Sequence, residues 1–123
     1  TSAKTLPATR FMRSDRELEA LSDIASNIKL AREFISDLDY PAFQADRKTT
    51  YAVVRCLEII SEASRRLTPG LKERHPGIRG RDIAGAGNIY RHNYNDVLSR
   101  AVWNTVHEAL GDLDDMVRAE LER

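Results

Sequence analysis

The stretch SDRELEALSDIASNIKLAREFISDL, Ser14 to Leu38, repeats an apolar residue at every third or fourth position. That spacing puts one apolar stripe along a helix of about six turns. Ser14 and Glu17 stand at capping-box spacing, and Tyr40-Pro41 ends the segment because proline disfavours helical geometry in the residue before it. The stretch therefore predicts an amphipathic helix whose stripe must pack on other apolar faces, formed by Leu18, Leu21, Ile24, Ile28, Ala31, Ile35 and Leu38.

Two more segments have the same periodicity and supply those faces. The segment KTTYAVVRCLEIISEASRRL, 48–67, presents Val53, Val54, Leu57, Ile60, Ala63 and Leu67. The last segment, 96–120, presents Val97, Val102, Val106, Leu110, Leu113 and Val117. Trp103 lies in it and is large enough to anchor a core or an interface. We expect an all-α fold, an antiparallel bundle of three long helices plus shorter helices.

The remaining segments are short or weakly helical. PAFQADR, 41–47, predicts a short helical turn, and TPGLKERHPGIRG, 68–80, predicts a connector with one turn of helix. RDIAGAGNIYRHNY, 81–94, predicts a weaker helix, because its two internal glycines each cost about 1 kcal/mol relative to alanine. No strand-like alternation competes, so we expect one helical domain over 1–123 with its core at roughly 14–121.

Composition narrows the function classes. The chain has 19 basic and 19 acidic residues, so any affinity for nucleic acid must come from a local patch. The single cysteine, Cys56, excludes an internal disulfide and a cysteine cluster for a metal, and we expect it in or near the core. The apolar runs are short and no signal-peptide core is evident. We therefore expect a cytoplasmic protein without a membrane partner.

The polar stretch GNIYRHNYND, Gly87 to Asp96, has few residues to bury and many that do chemistry. On a continuous helix Asn88 and His92 are neighbours on one face. His92 can exchange a proton near neutral pH, and the planar cation of Arg91 suits a phosphate. Tyr94 adds a phenol nearby. Such groups can cleave RNA without a metal, although a lone His–x–Tyr is more often structural.

Charge is unevenly distributed around this stretch. Residues 72–92 carry a net charge of +3, whereas residues 93–123 carry a net charge of −4. Phosphate contacts need such a local excess of Arg and Lys, although connectors are often simply rich in solvated charge.

Four stretches together resemble the HepT-like branch of the HEPN superfamily. They are the first amphipathic helix ending near FQADR, then VVRCLEIISEASRRLTPGLKERHPGI, DIAGAGNIYRHNY and VLSRAVWNTVHEALGDL, which cover roughly residues 15–115. The resemblance implies an all-helical homodimer and a metal-independent ribonuclease with an RNA substrate, the toxin half of a toxin–antitoxin pair.

The family signature is an arginine, four to six residues, and then His–x–Tyr. The resemblance maps its histidine onto His92 and its tyrosine onto Tyr94. It also implies a partner, a minimal nucleotidyltransferase antitoxin that silences the toxin by transferring AMP from ATP to Tyr94. The chain itself would then need no cofactor and no metal, with ATP serving only the partner enzyme.

This sequence departs from the signature at the arginine. That residue should fall at position 85, 86 or 87, where the chain has Gly85, Ala86 and Gly87. Arg91 follows Gly87 by one helical turn, and helical side chains lean toward the N-terminus. We hypothesise that Arg91 supplies the missing guanidinium. The alternative is a weak or inactive nuclease retained as a dimeric module that binds RNA, nucleotide or protein.

Other polar residues have two interpretations each. Arg55, Glu58 and Glu62 either orient the site from the second long helix, as the resemblance implies, or form ordinary surface ion pairs. His75 is expected to be a solvated loop residue, and His107 a surface or interface residue. Because one histidine per chain is little for acid–base cleavage, a two-fold dimer would bring two His92 side chains into one cleft.

Overall fold

The computed structural model describes residues 2–77 and 96–123, and the side chains of 15–77 and 99–123. These residues are helical throughout their regular elements and include no strand, which confirms the all-α class. The elements are α1 Ser2–Ile35, α2 Tyr40–Ala45, α3 Arg47–Ser64, α4 Pro69–Arg74, α5 Asp96–Asn104, a π-helical turn Thr105–Ala109, and α6 Leu110–Leu121. The predicted helical segment 81–94 lies outside the described residues.

The start predicted for the first helix is wrong. Helix α1 already begins at Ser2, so Ser14 lies inside it and the expected capping box with Glu17 does not form. The amides near Glu17 belong to a continuous helix and need no cap. The Glu17 carboxylate instead accepts hydrogen bonds from the backbone N–H and the hydroxyl of Thr68. It thereby connects α1 to the start of α4.

The core lies where α1 packs on α3 and on α6, with α5 against α2 and α3. Almost all of the predicted stripe residues with described side chains are buried, Val54 and Leu38 only partly. Leu18 is the exception, with 44% of its surface exposed. Three residues before Leu21, it is rotated about 60° farther from the buried face, so its assignment to the stripe was wrong.

Side-chain caps set the boundaries of the short central elements. The Asp39 carboxylate accepts from the backbone N–H of Ala42 and starts α2. The Asp46 carboxylate accepts from the N–H and the hydroxyl of Thr49 at 3.1 and 2.7 Å and starts α3. The Thr68 hydroxyl does the same for α4 through Leu71. Each cap satisfies an amide that has no partner within its own helix.

Ion pairs join α1 to the helices on either side of it. Asp23 of α1 pairs with Arg66, just beyond α3, at 2.8 Å, and Arg32 of α1 pairs with Asp114 of α6 at 2.9 Å. These pairs are largely exposed, so they contribute little energy but are consistent with a single register between the helices.

The last predicted helix, 96–120, is interrupted by the π-helical turn. In this region two backbone carbonyls accept hydrogen bonds from side chains. The hydroxyl of Thr105 donates to Ala101 O at 2.8 Å, and Nδ1 of His107 lies 2.9 Å from Trp103 O. Each contact joins a side chain to the carbonyl four residues earlier, and for a threonine this kind of hydrogen bond often bends a helix. No helix in the described ranges is apolar and long enough to cross a membrane.

Candidate functional site

The residues predicted to carry the chemistry fall between α4 and α5. Asn88, Arg91, His92 and Tyr94 all lie outside the described residues, so their predicted roles remain predictions. The described structure nevertheless places the two ends of their segment. The chain leaves α4 through His75 and Gly77 and re-enters at the start of α5.

The exit from α4 is held by a carboxylate. Glu120 of α6, whose side chain is only 6% exposed, accepts from the Arg74 guanidinium. Nε2 of His75 lies 3.2 Å from the other carboxylate oxygen, and Arg123 lies 3.8 Å from it. The hydrogen bond from Arg74 holds the pKa of the Glu120 carboxyl below its usual value, against the opposing effect of burial. His75 is therefore a half-buried hydrogen-bond partner of Glu120 and not the solvated loop residue expected.

A groove of about 430 Å³ opens beside this contact. Arg74, His75 and Gly77 line one side of it, and Asp112 and Met116 of α6 line the other. Arg74, the arginine on its wall, already bonds to Glu120, as does His75, so these two side chains are not available to a phosphate in the groove. The groove lies where the described chain leaves α4, and the observations give it no catalytic role.

The three supporting residues on α3 are exposed, as their surface interpretation expects. No ion pair joins Arg55 to Glu58 or to Glu62, so the intrahelical pairs that their spacing allows are absent. No ion pair within the described ranges involves these three side chains, and their orienting role remains a prediction.

Cys56 is buried, as predicted, and burial raises the pKa of its thiol. A protonated, inaccessible thiol is a poor nucleophile. Among the described side chains there is no group of three or more His, Cys, Asp or Glu that could hold a metal ion.

One cluster of aromatic and charged side chains, partly buried and partly exposed, was not predicted from the sequence. The guanidinium of Arg100 lies 3.8 Å over the ring of Tyr40, and the Tyr40 ring meets Trp103 edge-on at 5.7 Å. Trp103 also contacts buried Phe43 at 5.3 Å and exposed His107 at 4.3 Å between ring centroids. The i, i+4 spacing of Trp103 and His107 in the sequence is the signal that could have predicted their contact. Nothing local joins Arg100 to Tyr40, because they lie on different helices.

Comparison with known proteins gives the chain's relatives. The family described as Ribonuclease HepT-like matches residues 24–120. A Thermococcus cleftensis protein named "Probable ribonuclease HepT" is 40% identical over 76% of this chain and 84% of its own length.

Two further relatives carry provisional RNase names. One, from Methanocaldococcus jannaschii, is 35% identical over 77% of this chain and 88% of its own length. The other, from Caldanaerobacter subterraneus subsp. tengcongensis, is 29% identical over 84% of this chain and 92% of its own length. No solved structure gives a significant match. The family match spans most of the chain and the structure is helical as the resemblance implies, so this chain belongs to the HepT-like ribonuclease family of the HEPN superfamily.

Proposed function

We propose that this chain is a metal-independent ribonuclease, the toxin of a toxin–antitoxin pair. The observation that carries the proposal is the His–x–Tyr motif, His92 and Tyr94, within a chain of the HepT-like family. The names of the relatives point to ribonuclease activity alone, which the proposal extends to a metal-independent toxin. The net charge of +3 over residues 72–92 favours a phosphate-bearing substrate in this region.

The chemistry needs only side chains. The 2′-oxygen of a ribose attacks the adjacent phosphorus as His92 accepts its proton, and the bond from phosphorus to the 5′-oxygen breaks. The leaving 5′-oxygen takes a proton, and a 2′,3′-cyclic phosphate remains. Arg91 stabilises the negative charge on the pentavalent phosphorus. Asn88, which a continuous helix would place on the same face as His92, orients the histidine or the substrate.

A homodimer supplies the second proton carrier. One chain provides one His92, whereas the reaction needs both a proton acceptor and a proton donor. A two-fold axis would place two His92 side chains in one cleft, since such an interface repeats every group. One of them accepts the proton of the 2′-hydroxyl, and the other donates to the 5′-oxygen.

Silencing would act on Tyr94. A minimal nucleotidyltransferase would transfer AMP from ATP to the phenol, forming a phosphodiester to the tyrosine oxygen and releasing pyrophosphate. The added nucleotide would occupy the space of the RNA and place negative charge beside Arg91. Incubating both proteins with ATP should increase the mass of the wild-type chain by one adenylyl group, and should leave Tyr94→Phe unchanged.

The decisive experiment is RNA cleavage by purified protein whose Tyr94 is shown to be unmodified. Cleavage should persist in EDTA and disappear in His92→Ala. Arg91→Ala should lower the rate of RNA cleavage by about 100-fold or more, because it removes one electrostatic stabiliser. Arg118→Ala, at an exposed arginine, is the control. Unchanged cleavage by Arg91→Ala would reject the substitute-arginine hypothesis.

A second function is favoured by one specific observation. Gly85, Ala86 and Gly87 occupy the positions of the signature arginine, and none carries a cation. A HEPN dimer without that group could be retained as a module that binds RNA, nucleotide or protein. The absence of cleavage by unmodified protein, together with RNA binding that His92→Ala leaves intact, would favour this module over the nuclease.

A further inference from the structure

We propose that the surface cluster of exposed Arg100 and His107 with half-buried Tyr40 and Trp103 is a subsite for one unpaired nucleotide of an RNA strand. This rests on the proposed function, in that RNA is the ligand, and extends it to residues outside the predicted catalytic stretch. A base would pack on the outer face of His107, and Arg100 would contact a neighbouring phosphate.

The contacts between aromatic rings are the first observation that supports the subsite. Phe43, Trp103 and His107 form a series from the core to the surface, with centroid separations of 5.3 and 4.3 Å. Phe43 is fully buried, so the inner end of the series is fixed, whereas His107 is exposed. One face of the His107 ring lies on Trp103, which leaves the opposite face open to solvent. A base packed there would continue the series, and His is among the side chains on which unpaired bases stack.

The orientation of His107 is set by the backbone. Its Nδ1 lies 2.9 Å from the Trp103 carbonyl oxygen, which can only accept, so Nδ1 carries a proton. The ring is therefore held in place before a ligand arrives, which lowers the entropy lost on binding. The residue lies on a π-helical turn, a geometry that occurs frequently at functional sites.

Arg100 supplies the charge. Its guanidinium carbon lies 3.8 Å over the Tyr40 ring, and a guanidinium packed on a ring keeps its N–H donors for other partners. Tyr40 in turn touches Trp103, so the cation and the base platform share one support. An aromatic platform beside a cation is the combination by which proteins hold single-stranded nucleic acid.

The test measures binding and not cleavage. A short 2′-O-methyl oligonucleotide lacks the attacking hydroxyl, so it reports binding whether or not the chain is a nuclease. Trp103 is the only tryptophan in the chain, and its fluorescence should change on binding. His107→Ala should weaken binding by about 5- to 100-fold, the range for one lost base stack. His107→Phe keeps a ring and should restore most of the affinity.

Two further binding measurements separate the contribution of the base contact from that of the phosphate contact. An abasic strand should bind the wild-type chain as weakly as the intact strand binds His107→Ala. Arg100→Ala should weaken both strands and reduce the salt dependence of binding, whereas Arg118→Ala, on α6, should not. Equal binding by His107→Ala and wild type, or equal loss in His107→Ala and His107→Phe, would overturn the subsite.

Failure of the subsite is distinguishable from failure of the nuclease. Wild-type binding that depends on His107, without any cleavage of ordinary RNA, rejects the nuclease and supports the subsite. Cleavage with binding that is indifferent to His107 rejects the subsite alone. Neither binding nor cleavage by unmodified protein rejects both proposals.

Discussion

At the residue scale, Glu120 is a carboxylate that keeps its charge in a nearly buried position. Arg74, His75 and Arg123 lie around it, and its charged form is favoured because Arg74 donates to it. A pKa lower in the folded chain than in the unfolded chain means that the unfolded chain binds protons more readily. The contribution of Glu120 is therefore fully present above pH 4.5, its usual pKa, and is lost as the pH falls below that value.

Replacing Glu120 tests this linkage. Glu120→Gln should lower the free energy of unfolding by about 1 kcal/mol at pH 7, since it removes charge-assisted hydrogen bonds to exposed partners. The difference from wild type should shrink when urea titrations are repeated at lower pH, below 4.5. Glu122→Gln, an exposed neighbour, is the matched control. A difference that grows at low pH would contradict the assignment.

Phe43 and Phe34 form a matched pair of the same residue type. Phe43 is fully buried and touches Trp103, whereas Phe34 is 41% exposed. Phe43→Ala should cost about 3–5 kcal/mol, because it loses buried area and leaves a cavity, and it should shift the Trp103 emission. Phe34→Ala should cost much less. Urea titrations followed by fluorescence and by circular dichroism give both values, and similar costs would contradict the described packing.

At the element scale, α3 depends on its N-terminal cap. The side chain and backbone of Thr49 both donate to Asp46, and these hydrogen bonds hold the pKa of Asp46 below its usual 3.8. Asp46→Ala leaves the helix amides without that acceptor and should lower the melting temperature. Asp46→Asn keeps an acceptor, so its melting temperature should lie between those of wild type and Asp46→Ala.

The measurement is thermal unfolding at two pH values, with Asp37→Ala in the exposed turn after α1 as the control. A capping carboxylate whose pKa is lower in the folded chain than in the unfolded chain stabilises the fold at pH values above its unfolded pKa. That stabilisation is lost as the pH falls through its folded pKa. The penalty of Asp46→Ala should therefore be largest near neutral pH and shrink below pH 3.8. The same penalty at every pH would show that the carboxylate charge does not matter.

At the scale of the whole molecule, one core joins the three long helical stretches. The apolar faces of α1, α3 and α6 share a single buried cluster, and Trp103 reports on its α2–α5 edge. We therefore expect one cooperative transition, with coincident curves from tryptophan fluorescence and helical circular dichroism. A separate early transition in fluorescence would mean that the α2–α5 edge unfolds independently of the core.

Assembly belongs to the same scale. The proposed cleft needs two copies, so sedimentation at micromolar concentration should give twice the 13.9 kDa of one chain. The unfolding midpoint should then rise with protein concentration, because association stabilises the folded state by mass action. A monomer at that concentration would contradict the two-histidine mechanism.

Among the residues that the structure describes, the sequence by itself determined the helical class and most of the buried residues, although not where α1 begins. The period of apolar residues is local, so Ile24, Ile60 and Leu113 could be placed in the core before any packing was known. The Leu18 error concerned which residues belong to the stripe, whereas the capping error came from an interaction that periodicity does not contain. Glu17 was assigned to a cap because a sequence pattern relates a residue only to its near neighbours. Its hydrogen-bond partner in the structure, Thr68, is 51 residues away.

Only the tertiary structure decided which polar and aromatic groups meet. Glu120 holds His75 across 45 residues, and Asp114 holds Arg32 across 82. The same holds for Arg100 and Tyr40, which share a surface although they lie in different helices. Apolar burial is non-directional and can be read from a pattern. Hydrogen bonds and ring contacts are directional, so their partners are known only once the helices have packed.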